Sequence, residues 1–402
     1  KRPREPRGPC TLLRSTANTH NPQQDLAENG ENLILVADTQ LEHELVMRSF
    51  RDRDYLITPE RFIFAVIGNI HPTDRAIAYL KYIPDEGGKW GRGRLRYRRA
   101  LQHYNIPSVM NSMRFLRANA PEYLFESSVH SFSLPAVPAD RIVEHLRPEE
   151  RLLQLQSSQH RDELERKAFR LAEFLSQDSG VPMESFGVTG SVLARIHDPT
   201  FSDIDLVVYG FDNALRVRGC LQNHKKSSTG GIQRLTGASQ EKWISERLRS
   251  TPLIRQNAIA LLGRKWNIGL FEGTEFSIHA VHTEAEVRER YGDEHYLPIG
   301  IVDATAKIAD SSESLFMPAV YLVESTRLKG NLSAYTVDQI VSFEGLYADI
   351  AGKGETVFCR GKLERVESTS RVRHRIVVGS PEAQGRDLIL PLEDAQALGK
   401  VE

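Results

Sequence analysis

The chain is poor in cysteine. Three stand in 402 residues, Cys10, Cys220 and Cys359, far apart and without C-x-x-C spacing, which argues against a zinc knuckle or a disulfide framework and points to a reducing compartment. An excess of charge of one sign is missing too: Lys and Arg number 52, Asp and Glu 53, for a formal net charge of -1. Wholesale steering toward nucleic acid is thereby excluded, while local basic patches stay open. No apolar run approaches the roughly 20 residues needed to cross a bilayer, and the opening KRPREPRGPC lacks the apolar centre of a signal peptide. A soluble, cytoplasmic protein with no membrane partner is expected. There is no internal repeat.

What the chain does have is length and a change of texture along it. At this size one core rarely suffices, and two or three domains are expected. Residues 1–30 form a basic Pro-, Asn- and Gln-rich tail with too little apolar surface to fold alone. Residues 31–150 read as an N-terminal α+β domain: after LILVAD, the stretch RFIFAVIGNIHPTDRAIAYLKYI sets two β-prone runs around a turn at Asn69, His71, Pro72 and Asp74, which predicts a hairpin. Residues 151–290 alternate helix and strand. HRDELERKAFRLAEFLSQDSG carries Leu164, Ala168, Leu171 and Leu175 at helical spacing and ends at a capping Gly180; EKWISERLRSTPLIRQNAIALLGRKW reads as a further amphipathic segment. From 291 to 402 the short runs IGIVDATAKIA, PAVYLVEST, TVFCRGKLERV and RHRIVVGS predict a β-rich, barrel-like domain. The fold class expected is multidomain α+β with an α/β core.

Chemistry concentrates in FGVTGSVLARIHDPTFSDIDLVVYG, residues 186–210. SFGVTG predicts a buried strand turning at Gly190, with Ser191 as a helix N-cap. Free amides at such a turn favour an anion, and glycine lets a phosphate approach the backbone. In IDLVVYG, alternation buries Ile204, Leu206 and Val208 and places Asp203 and Asp205 together on the other face. Paired carboxylates repel unless a cation lies between them, and hard oxygen donors suit Mg²⁺. Alone, Gly-Ser is commonly only a cap and Asp-x-Asp only a solvated edge; their combination, with eleven residues between Ser191 and Asp203, carries the signal. A second pair, Gly379-Ser380, has no aspartates in a following strand and serves as an internal control.

This pattern resembles the DNA polymerase β-like nucleotidyltransferase superfamily, with Gly190, Ser191, Asp203 and Asp205 on its Gly-Ser and Asp-x-Asp signature, over roughly residues 155–285. The resemblance implies a magnesium-dependent, ATP- or other NTP-using nucleotidyltransferase that moves a nucleoside monophosphate to a hydroxyl of RNA, a protein or a small molecule. It implies two Mg²⁺ ions held by Asp203 and Asp205, with terminal phosphates at Gly190 and Ser191. The family's third carboxylate belongs on EFSIHAV, where its usual spacing falls on Ser277; Glu275, two residues earlier on the same face, and Glu272 in the preceding turn are the alternatives, and Glu275 is the candidate third catalytic carboxylate. His279 shares that face as ligand, base or plain surface histidine. The serine opens a second reading, a nucleotide- or RNA-binding protein that keeps the fold with little catalysis. The full length resembles uncharacterised archaeal proteins of this kind.

Further substrate-binding candidates are Lys225, in a Gly- and Ser-rich loop with Lys226, and Arg264 and Lys265, ahead of Trp266; a basic helix end matched to its dipole is the plainer account of the latter two. Arg92, Arg94, Arg96, Arg98 and Arg99, interleaved with Trp90 and Tyr97, form either an acceptor-binding patch or a solvated face paired with carboxylates.

Overall fold

The computed structural model describes residues 48–93, 95–101, 106–227 and 231–393. The expected tail, LILVAD, Cys10, Arg94 and residues 228–230 of the Gly- and Ser-rich loop lie outside the described residues. From Phe50 onward the chain forms one compact unit built on three sheets, a mixed α+β architecture.

The first sheet comprises β1 (Tyr55–Ile57), β2 (Ile63–Val66), β3 (Arg75–Pro84), β4 (Trp90–Arg92), β5 (Leu95–Arg99), β6 (Leu124–Ser127), β7 (Phe132–Pro138) and β8 (Glu144–Leu146). Its path runs β4-β5-β3-β2-β1-β8, with β7 on the first part of β3 and β6 beyond it. The expected hairpin is present: β2 and β3 pair antiparallel, with Ala65 opposite Tyr79. Alternation on β3, shifted by one residue at the bulge opposite Ile63 and Phe64, divides its side chains between two layers. Leu80 and Ala78 pack with Phe64, Leu116 and Tyr123, whereas Tyr79 and Tyr82 pack with Tyr97, Leu193 and Ile196 of the next region.

The second sheet contains β9 (Phe186–Val188), β10 (Ile204–Tyr209), β11 (Ile232–Gln233), β12 (Ile268–Phe271) and β13 (Thr274–Val281), in the order β11-β12-β13-β10-β9. Here β10 and β13 are parallel and the other pairings antiparallel. The helix Glu163–Ser179 covers one face. It starts at a capping box between Asp162 and Glu165 and stops at Gly180, which takes φ +67°, the left-handed conformation glycine reaches most cheaply. Its buried Leu164, Ala168, Leu171 and Leu175 meet Ile204, Leu206 and Val208 of β10 and Val217 and Leu221 of the helix Phe211–Ser227, the burial alternation expected for β10. The single amphipathic segment expected after residue 240 is two helices, Gly237–Ser250 and Arg255–Arg264. Pro252 explains the break, because it forces the preceding Thr251 into an extended conformation.

The third sheet uses β14 (Glu294–Asp310), β15 (Ala319–Leu328), β16 (Gln339–Ser342), β17 (Thr356–Ser368), β18 (Val372–Val378) and β19 (Leu388–Pro391). Strand β14 pairs with both β15 and β17, so the ring β14-β15-β16-β18-β17 closes on itself, with β19 on β17. Val302, Ala304, Val357, Cys359, Leu363 and Ile376 belong to its core. Among the described residues no helix is long and apolar enough to cross a membrane. A cavity of about 1650 Å³ is lined by residues of all three sheets.

Candidate active site

The turn between β9 and the following helix explains why glycine stands at position 190. Its φ is +69°, and a Cβ there would lie 2.2 Å from Asp205 Oδ2. Only a residue without a side chain lets the Asp205 carboxylate sit against that backbone. The two halves of the signature are therefore one packing unit. The helix is shorter than expected, Gly190–Leu193, and its N-cap position is Thr189, whose side chain donates to the Arg53 carbonyl at 2.9 Å. Ser191 is thus not the N-cap but lies inside the turn, buried. The chain turns into the helix two residues earlier, directly after β9, and the Thr189 amide bonds to the Asp205 carbonyl at 2.9 Å. With one helical turn the macrodipole is small, so anion affinity here rests on the local amides.

Register fixes the third position. In the parallel β10–β13 pair, Asp205 stands opposite Ser277 and Val207 opposite His279. Ser277 Oγ donates to Asp205 Oδ1 at 2.5 Å and lies 2.9 Å from His279 Nε2, which is itself 4.0 Å from Asp205 Oδ1. No bulge shifts a glutamate into that place. Glu275 is held by Lys242, with Nζ 3.1 and 3.2 Å from its two oxygens. Glu272, in the hairpin turn, is bound by Arg170.

The electrostatics of the aspartates are unequal. Burial first, and then the neighbouring Asp205 charge, push Asp203 up to about 6 in spite of Arg99 and Lys81. Burial also opposes ionisation of Asp205, but hydrogen bonding from the His279 and Ser277 side and the charge of Lys81 overcome it, holding this carboxyl well below the usual range. His279 is pushed down to about 4 by burial and by Arg53, against the pull of Asp205, so its ring is neutral at neutral pH; because the Ser277 proton goes to Asp205, Nε2–H donates to Ser277 Oγ and the lone pair is on Nδ1. One carboxylate charged and its neighbour half-titrated near pH 6 is how an acidic pair behaves with no cation between its members.

Asp203, Asp205, Ser277 and His279 all line the large cavity, and so do Lys81 of β3, Arg99 of β5 and Arg53. These cations come from the first sheet and the turn that leads into it, more than 100 residues earlier. Only its apolar company marks Lys81 in the sequence: it is buried in an apolar strand, over the rings of Tyr55 and Tyr82. A buried lysine in a strand of aromatic and β-branched residues was the available signal, because such a charge needs partners.

Other sequence candidates are engaged elsewhere. Lys225 is not in a loop but in the last turn of the helix Phe211–Ser227, buried, with Nζ donating to the carbonyls of Trp266 and Ile268. It ties that helix to β12, and burial lowers its pKa to about 7. Lys265 Nζ donates to the carbonyls of Gly345 and Ala348 at 2.9 and 2.7 Å, and Arg264 pairs with Glu355 at 2.9 Å; both fasten the α/β region to the barrel. In the arginine-rich hairpin, Arg96 donates to the carbonyls of Gly88, Lys89 and Gly91, Arg98 pairs with Asp85, and Arg99 stacks 4.7 Å over Trp90. Trp90 meets Phe201 edge-on at 6.0 Å.

Among the described residues, the His, Cys, Asp and Glu groups whose ligand atoms lie within 4.8 Å of one another are Asp178–Cys220–His224 and Asp162–Glu165–His197. The set of Asp203, Asp205 and His279 is more open. In the second group Asp162 and Glu165 are the helix cap and Glu165 also takes Arg151, an arrangement complete as a structural knot.

The chain is 29% identical over 337 residues to an uncharacterized protein, MJ1086, of Methanocaldococcus jannaschii, covering 82% of this chain and 95% of that protein. No family model matches the chain, and no solved structure matches it.

Proposed function

We propose that the protein is a nucleotidyltransferase that moves a nucleoside monophosphate from an NTP to a hydroxyl acceptor on RNA, a protein or a small molecule. The observation that carries this reading is the contact between Gly190 and the Asp205 carboxylate, which sets an anion-accepting turn directly against an acidic pair that lines the cavity. The donor set suits Mg²⁺: two carboxylate side chains, one of them driven to about 6 by burial and by its neighbour's charge, gain from a hard cation. Asp203 and Asp205 would hold it, and when bound it supplies charge neutralisation and a lowered pKa for the attacking hydroxyl. The backbone at Gly190 and Ser191, beside the cavity-lining Thr189, accepts the terminal phosphates, and Lys81 and Arg99 add positive charge to the cavity. Catalysis of this kind is mainly positioning and screening.

Ser277 supports a second reading, binding of nucleotide or RNA with little turnover, because a hydroxyl is a weaker metal donor than a carboxylate. His279 offers a different completion. With its proton moved to Nδ1, its Nε2 becomes a donor 4.0 Å from Asp205 Oδ1, within the separation of about 4.2 Å open to two donors each about 2.1 Å from one ion. A nitrogen donor shifts preference from Mg²⁺ toward Mn²⁺.

Labelled NTPs incubated with the full chain, Mg²⁺ or Mn²⁺ and RNA, protein or polyol acceptors test the enzyme reading. Label transfer lost in Asp203→Ala and in Asp205→Ala is expected; tight nucleotide binding with no transfer to any acceptor supports the binding reading instead. Calorimetry showing no divalent-dependent NTP binding at all would overturn both.

A further inference from the structure

A second group of side chains, on the helices that cover the α/β sheet, has the chemistry of a transition-metal site. Cys220 and His224 stand four residues apart on the helix Phe211–Ser227 and therefore share one face. That face packs on the helix Glu163–Ser179, whose last turn presents Asp178 just before the Gly180 cap. Asp178 Oδ2 accepts from Cys220 Sγ at 3.1 Å and is 2.9 Å from His224 Nε2, and the three ligand atoms lie within 4.8 Å of one another. Phe174 sets its ring edge against His224 at 5.0 Å and orients the imidazole.

The donors are graded in depth. Cys220 is buried, the His224 side chain is 15% exposed and the Asp178 side chain 43%. The soft donor is thus inside, the borderline one at the edge and the hard one outside, leaving room for water as a fourth ligand. Thiolate, imidazole and carboxylate in one place select zinc-like ions over Mg²⁺ or Ca²⁺, and a structural or open tetrahedral Zn²⁺ site draws on this ligand set. Thiolate and carboxylate together also cancel the ion's charge of two, so the partly buried pocket keeps no net charge. Sequence spacing hides the group because Asp178 is 42 residues from Cys220.

We propose that Asp178, Cys220 and His224 bind one Zn²⁺ ion, which ties the two helices together, independently of the acidic pair. Without an ion the Cys220 thiol donates to the Asp178 carboxylate. On binding, the Sγ–H proton leaves to solvent and the sulfur lone pair takes the metal, so affinity falls as pH falls.

Co²⁺ titration of the full chain tests this, since cobalt bound to a thiolate in tetrahedral geometry absorbs strongly in the visible and near ultraviolet. One equivalent of such absorption is expected, displaced by equimolar Zn²⁺, retained in Cys10→Ser and in the Asp203→Asn/Asp205→Asn pair, and lost in Cys220→Ser. His224→Gln, on the accessible edge of the helix, is expected to cost at least tenfold in Zn²⁺ affinity while the circular dichroism stays unchanged, which guards against a misfolded Cys220 variant. Absence of the bands, or bands that persist in Cys220→Ser and His224→Gln, would overturn the proposal. Bands lost only with the aspartate pair would assign the ion to the other site and overturn it equally.

Discussion

Gly190-Ser191 and Gly379-Ser380 are the same dipeptide in left-handed turns, with glycine φ of +69° and +98°, and each lies beside an aspartate. At the second, the amides of Gly379 and Ser380 both donate to Asp387 Oδ2 at 2.9 Å. That turn fills its own anion site with a side chain of the protein. At the first, Asp205 packs against the glycine where a Cβ would stand, while its Oδ1 is taken by Ser277. Among the described residues no carboxylate receives the Gly190 or Ser191 amide. The dipeptide alone therefore says nothing about ligands; what matters is whether the neighbouring carboxylate turns into the amides or away from them, toward a cavity.

The largest expected effect separates the two turns by steric demand. Gly190→Ala puts a Cβ 2.2 Å from Asp205 Oδ2, whereas in Gly379→Ala the nearest atom is Glu344 Cγ at 3.1 Å, on a flexible side chain. Both substitutions incur the left-handed cost of about 1–2 kcal/mol. Only the first also displaces the acidic pair, so Gly190→Ala should abolish divalent-dependent NTP binding in calorimetry and Gly379→Ala should leave it intact. Equal binding in the two variants would break the comparison.

A second pair of variants should move stability in opposite directions. Asp203 titrates near 6 in the fold, above its ordinary 3.8. The folded state therefore binds that proton more tightly than the unfolded chain, and the contribution of Asp203 to stability falls as pH rises from about 4 to 6. Without metal, Asp203→Asn should stabilise the protein above pH 6 by about 1–3 kcal/mol while removing divalent-dependent NTP binding. Asp387→Ala strands two buried amides and should destabilise by about 1–3 kcal/mol with nucleotide binding unchanged. Denaturant titrations at pH 5 and pH 8, without divalent ions, read both; a destabilised Asp203→Asn at pH 8 contradicts the strained-pair account.

Local physics was readable in the sequence where one element decides the outcome. Alternation in IDLVVYG, the leucine spacing with Gly180 after it, and the hairpin around Asn69 and Pro72 each follow from periodicity and turn chemistry. Ser191 is not the cap because the chain already turns at Thr189, held there by a backbone bond to the Asp205 carbonyl that side-chain pattern does not encode. Lys225 looked mobile beside Gly and Ser, but its ammonium is captured by carbonyls 41 and 43 residues away. Lys81 and Arg99 reach the aspartates only through docking of one sheet on another, and no spacing rule spans such a distance.

The smallest expected effect concerns Glu275, the remaining carboxylate beside the open turn. Ile204 stands opposite Phe276, so continuing that parallel register by one residue sets Glu275 next to Asp203. Its carboxylate is now neutralised by Lys242, in a pair whose side chains are 34% and 58% exposed. Exposed ion pairs contribute about 0–1 kcal/mol, so a divalent ion shared with Asp203 competes against a weak partner. Lys242→Ala should therefore leave the thermal midpoint nearly unchanged and raise Mg²⁺ affinity by no more than about fivefold, the equivalent of 1 kcal/mol. Glu275→Gln should reverse that gain. If both variants match the parent protein in Mg²⁺ affinity, Glu275 stands outside the metal site, and the third corner belongs to Ser277 and His279.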